Sequence, residues 1–136
     1  MTLLLLLTLG LFAPAPEGTA QGAAGASDEQ LDVVTAALRS GDAEAVASYF
    51  DATVELVLPG VDNILPRETA RARLAAFLAA HPPRGYARVH GGTSSGEDGA
   101  YVIGTLRCEG DAAYRVYVYG RVGERPVVQE LRIERE

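Results

Sequence analysis

Tyr101-Val-Ile-Gly-Thr-Leu-Arg-Cys108, Ala113-Tyr-Arg-Val-Tyr-Val-Tyr-Gly-Arg121 and Val127-Val-Gln-Glu-Leu-Arg-Ile-Glu134 stand at the end of the chain, and their alternation decides the fold. β-branched and aromatic residues recur with period two, broken at Glu109-Gly110-Asp111 and at Gly123 to Pro126, so three strands joined by two hairpins are expected. A slip of one residue would exchange their faces, which makes the pairing testable for consistency. A loop at 109–111 sets Cys108 opposite Ala112, Leu106 opposite Tyr114, Gly104 opposite Val116 and Val102 opposite Val118. A loop at 123–126 sets Val118 opposite Leu131, Val116 opposite Ile133 and Gly120 opposite Gln129. Both hairpins then agree on one apolar face, with Gly104 and Gly120 as points where the sheet can bend. The opposite face carries Tyr101, Ile103, Thr105 and Arg107, then Arg115, Tyr117, Tyr119 and Arg121, then Val128, Glu130, Arg132 and Glu134.

Upstream, Tyr86 to Thr93 continues the strand pattern, and Pro82-Pro83 closes a helix over Arg67 to His81 in which Ala70, Leu74, Phe77 and Leu78 recur at three and four. Thr53 to Leu58 is a strand ended by Pro59-Gly60, with Val61 to Leu65 as its short return. Ser27-Asp28-Glu29-Gln30 has the form of a capping box, with Ser27 accepting from a backbone amide and Gln30 reaching back. Leu31, Val34, Ala37 and Leu38 follow at helical spacing, and Gly41 supplies a left-handed stop. Asp42 then caps a short helix over Ala43 to Phe50, with Val46, Tyr49 and Phe50 on one side.

The order α-α-β-α-β-β-β-β resembles the nuclear transport factor 2-like (cystatin-like) superfold. Tyr49-Phe50, Val54-Glu55-Leu56, His90 with Gly92, Tyr101 with Ile103-Gly104, Tyr114-Arg115-Val116-Tyr117 and Gln129-Glu130-Leu131-Arg132-Ile133 are similar, more closely, to an uncharacterised exported bacterial family of unknown function, over about residues 28 to 134. The resemblance implies an α+β cone in which three helices pack on the concave face of a curved antiparallel sheet. Its relatives use the pocket between helices and sheet as enzyme, ligand binder or dimer adaptor, so the fold alone does not choose among them. In this chain that pocket would be lined by Tyr49, Leu74, Phe77, Tyr114, Val116, Gln129 and Leu131.

The first residues have a different character. Leu3 to Phe12 is an almost unbroken apolar run of ten residues, too short to span a bilayer, and Gly18 and Ala20 suit a signal peptidase. No Lys or Arg precedes the run, which departs from the usual pattern. Residues 1–20 are therefore expected to be a signal peptide cut before Gln21, residues 21–26 a disordered Gly/Ala leader, and residues 27–136 the domain. No Cys stands near the cut, which argues against a lipid anchor. The mature chain would have no membrane span and a periplasmic or secreted address.

Losing Glu17 takes the formal charge from −6 to −5, an ordinary value without the basic patch that nucleic acid requires. All 12 basic residues are Arg, which reflects coding bias more than chemistry. The single cysteine, Cys108, forms no bridge within the chain, and about 115 mature residues bury enough surface to fold without one.

An isomerase-like or dehydratase-like site would need a carboxylate or histidine aimed into the pocket, with a Tyr or a protonated acid for the developing oxyanion. Asp51, Glu55, His81, His90, Tyr49 and Tyr114 are the candidates, yet the apolar face offers only Gln129 as a polar neighbour. His90 lacks the companions of a metal site, and Cys108 lacks a CxxC partner. Gly91-Gly92-Thr93-Ser94-Ser95-Gly96 has no lysine and opens no helix, so it is a loop and no phosphate cradle. The sequence points to a non-enzymatic domain, without cofactor or metal, that binds a small apolar ligand or a protein partner. The alternatives are a pocket isomerase, dehydratase or hydrolase, or a structural dimer of the envelope. Tyr101, Ile103, Arg115, Tyr117, Tyr119, Val128 and Arg132 are the expected homodimer interface, because interfaces favour Tyr and Arg.

Overall fold

The computed structural model describes residues 28–94 and 98–136. Three helices, α1 (Asp32–Arg39), α2 (Ala43–Ala47) and α3 (Arg67–Ala80), accompany six strands among these residues. The strands are β1 (Phe50–Leu58), β2 (Val61–Pro66), β3 (Pro83–Thr93), β4 (Gly99–Cys108), β5 (Ala112–Arg121) and β6 (Val127–Arg135). The expected signal peptide, leader and Ser27 lie outside the described residues, as do Ser95 and Gly96 of the loop.

All six strands join one curved sheet in the order β2-β1-β6-β5-β4-β3. It is mixed, a correction to the expected antiparallel sheet: β1 runs parallel to β6, pairing Leu56 with Leu131 and Val57 with Arg132. A parallel pair needs a long crossover, and here α3 and β3 to β5 all lie between the two strands in the chain.

The β4-β5 hairpin has the expected register throughout, from Cys108 opposite Ala112 to Val102 opposite Val118. In β5-β6, Val116 faces Ile133 and Val118 faces Leu131, but a shift follows Tyr119, and Gly120 faces Val128 instead of Gln129. One extra residue in β6 at this bulge reverses the faces beyond it. Val128 is therefore wholly buried and Gln129 half-buried, which corrects the placement of both.

Glycine serves close approach here. A Cβ on Gly104 would come within 3.0 Å of the Tyr86 ring and hydroxyl, and one on Gly120 would meet the Val127 carbonyl at the bulge.

Gly41 ends α1 with φ at 75°, and the amides of Gly41 and Asp42 return to the carbonyls of Leu38 and Ala37. The Asp42 carboxylate accepts from the Ala45 amide at 3.0 Å and starts α2. α2 is shorter than expected. The Tyr49 carbonyl is taken by the Val128 amide at 2.7 Å, and Phe50 opens β1, because a strand partner distant in sequence captures this backbone. α3 stops at Ala80, one residue early, with His81 as its cap before the two prolines.

Leu31, Val34 and Leu38 near α1, Ala70, Leu74, Phe77 and Leu78 of α3, and Val102, Leu106, Val116, Val118, Leu131 and Ile133 of the sheet form one buried cluster. Each such Leu or Val contributes about 1.5–3 kcal/mol by leaving water, which makes this cluster the main support of the fold.

Candidate functional site

With its apolar residues turned into the core, the sheet leaves alternate side chains of β4, β5 and β6 on an outer face. Ile103 stands opposite Tyr117, which stands opposite Arg132; Tyr101 stands opposite Tyr119, which stands opposite Glu130. These side chains are half-buried by one another. The Tyr101 and Tyr117 rings stack with centroids 6.3 Å apart and planes at 24°. His90, opposite Ile103 on β3, has its Nε2 2.8 Å from the Tyr101 hydroxyl. Tyr101 lies across Gly92, where a Cβ would approach its ring at 3.1–3.2 Å.

Beside this aromatic strip lies a charged cluster. Glu55 and Glu130 are direct neighbours on β1 and β6, and two like charges so placed repel. Arg132 offsets this: it bonds Glu130 through Nε, Glu55 through Nη2 at 3.2 Å, and approaches Glu134 at 3.9 Å. Its hydrogen bond to Glu130, and then the carboxylate charges, raise an already high guanidinium pKa. Burial, seconded by Glu130, also pushes the Tyr117 hydroxyl up. Arg115 stands exposed opposite Glu134. Val128 is absent from this face because of the bulge.

Of the candidate catalytic groups only His81 and Tyr114 come together, and no candidate carboxylate joins them. Asp51 holds Arg121 at 3.5 Å and the Ala52 amide at 2.8 Å. Glu55 belongs to the Arg132 cluster, and His90 to Tyr101. His81 packs against Phe77 with its Nδ1 3.3 Å from the Tyr114 hydroxyl, a small aromatic cap under α3. Burial pushes the Cys108 thiol up, away from reactivity. Among the described residues no three His, Cys, Asp or Glu gather to hold a metal, and no helix is long and apolar enough to cross a membrane.

Among the described residues, shallow clefts open on the surface. One of about 460 Å³ is lined by Gln30, Val33, Tyr49, Glu124, Arg125 and Pro126. A second, of about 420 Å³, lies between α2 and the start of α3 beside Arg67 and Arg71. A third, of about 300 Å³, runs along Asp32, Thr35, Tyr86 and Arg88. Tyr49 lines the first; Leu74, Phe77, Tyr114, Val116, Gln129 and Leu131 line none of the three.

Sequence reasoning missed Arg88, which bridges Asp28 and Asp32, and Arg125, which stacks on Tyr49. Their partners lie more than 50 residues away in sequence, where local patterning carries no signal.

Residues 31–134 match the family described as "Domain of unknown function (DUF4783)". The chain belongs to this family. Two other DUF4783 proteins share its architecture in crystals. That from Bacteroides uniformis is 24% identical, with a TM-score of 0.69 over 77% of this chain and 95% of its own. That from Bacteroides fragilis is 25% identical, with a TM-score of 0.68 over 76% and 96%. A protein of Cytophaga hutchinsonii described as NTF2-like is 12% identical, with a TM-score of 0.58 over 79% and 93%, and at that identity the likeness speaks for the fold alone. The DUF4783 domain thus has a nuclear transport factor 2-like α+β fold. No curated protein compared with the chain matches it.

Proposed function

We propose that this DUF4783 domain is a non-enzymatic binding protein that acts outside the cytoplasm as a homodimer, joined through the outer face of its sheet. In this reading the Leu3–Phe12 run directs export, cleavage near Gln21 leaves a domain over residues 27–136, and the three helices cover the concave face.

The observation that carries the proposal is the strip of Tyr101, Ile103, Tyr117 and Tyr119 on the side turned away from the core. A second copy of this chain is the fitting occupant. Six strands about 4.8 Å apart and about nine residues long at ~3.3 Å each give a footprint of about 860 Å², close to the ~800 Å² per partner of a stable interface. The face carries both signs of charge: Glu55, Glu130 and Glu134 gather around Arg132, with Arg115 opposite Glu134, while Arg107 stands exposed on β4. A two-fold axis through the tyrosines would bring Arg107 of one copy towards the other copy's surface.

The separation of Asp51, Glu55 and His90 from the His81–Tyr114 pair supports a binding role over an enzymatic one. A partner is favoured over a small apolar ligand held between helices and sheet, because Leu74, Val116 and Leu131 are wholly buried by other side chains.

Light scattering after size exclusion tests the dimer. Wild type should elute as a dimer and Tyr117→Glu as a folded monomer. A wild-type monomer at high micromolar concentration overturns the proposal.

A further inference from the structure

Independently of the dimer, we infer that the cleft between the start of α1, the Tyr49 corner and the β5-β6 loop is a binding site for a small carboxylate with an apolar or aromatic body. Its walls are tied together at three points. Gln30 donates through Nε2 to the Gly123 carbonyl at 2.7 Å and accepts from the Gly123 amide at 3.0 Å. Arg125 donates through Nη2 to the Ser48 carbonyl at 2.6 Å. The Val128 amide closes on the Tyr49 carbonyl at 2.7 Å. Such bonds hold the cleft open without a ligand, which lowers the ordering cost of binding.

The cleft is shallow, about 460 Å³, and mixes polar with apolar side chains. Val33, 46% exposed, offers apolar surface beside the half-buried Tyr49 ring, with Pro126 buried behind them. Arg125 lies over that ring at 4.9 Å, so its plane is fixed by stacking and by Ser48. Among the described residues no carboxylate closes on Arg125. Its other N–H donors remain in a rigid fork, the geometry that receives a carboxylate through two bonds. Glu124 lines the same cleft and opposes added negative charge, so Arg125 must face the carboxylate directly.

Titration of the full-length protein with 4-phenylbutyrate, followed by amide NMR shifts, tests this, with 4-phenylbutanamide as the uncharged control. Saturable shifts are expected at residues 30–33, 48–49, 122–125 and 127–128, with the uncharged amide at least tenfold weaker. Arg125→Gln should weaken the carboxylate tenfold or more. Val33→Asp, on an exposed position that leaves folding intact, should do likewise and keeps the test open if Arg125→Gln disturbs the loop. Equal binding of acid and amide, shifts elsewhere, or wild-type affinity in Val33→Asp overturns the inference.

Discussion

Tyr86 lies across Gly104 of the neighbouring strand so closely that a Cβ there would stand within 3.0 Å of its hydroxyl, Cζ and Cε2, a separation real Cβ atoms do not adopt. Gly104→Ala must therefore displace a ring that packs against the core and whose hydroxyl is shut off from water. Overpacking of this kind costs about 1–3 kcal/mol, and the displaced ring surrenders part of its own burial. Against this, alanine lowers the entropy of the unfolded chain by about 0.4–1 kcal/mol. We expect a net loss of about 1–2 kcal/mol, which in a domain of this size lowers Tm by roughly 5–10 °C. The discriminating measurement is a double-mutant cycle by urea denaturation. In a Tyr86→Ala background the ring is gone, and Gly104→Ala should become neutral or slightly stabilising, a coupling of about 1–3 kcal/mol. An equal cost of Gly104→Ala in both backgrounds would show that backbone conformation, rather than the ring, demands glycine.

Burial, seconded by the Asp32 charge, pushes the Tyr86 hydroxyl up to about 12 from the usual 10.0, so the fold favours the neutral phenol. The stability tied to that preference is fully present below pH 10 and is lost as pH climbs towards 12; Tyr86→Phe should flatten this alkaline decline in urea midpoints. Thr35 stands near enough to hydrogen-bond the hydroxyl, so the same variant should change stability near pH 7 by no more than about 1 kcal/mol, and a larger change would show that the ring itself has moved. Val116→Asp should cost several kcal/mol, since Val116 is wholly buried among apolar side chains and an unpaired carboxylate there has no partner; an unchanged Tm would reverse the faces of the sheet.

Rules of short range carry much of this molecule. Alternation and loop length set the pairing from Cys108–Ala112 to Val102–Val118, because side chains of period two leave one register that buries Val116 and Leu106 together. The turn from α1 to α2 follows from Gly41 and Asp42 in the same local way. Local rules also single out Tyr101, Tyr117 and Tyr119 as one face. They fail where a distant segment competes for the backbone. Helical spacing extends α2 to Phe50, but β6 takes the Tyr49 carbonyl and draws Phe50 into a parallel strand. The alternation of β6 places Val128 outside, but the bulge opposite Tyr119 and Gly120 turns it inward. The cleft depends on distance most of all, with Gln30 and Gly123 93 residues apart and Ser48 and Arg125 77. Such contacts exist only after the chain closes on itself, because each pairs a polar side chain with a backbone group, and backbone groups are alike in every sequence.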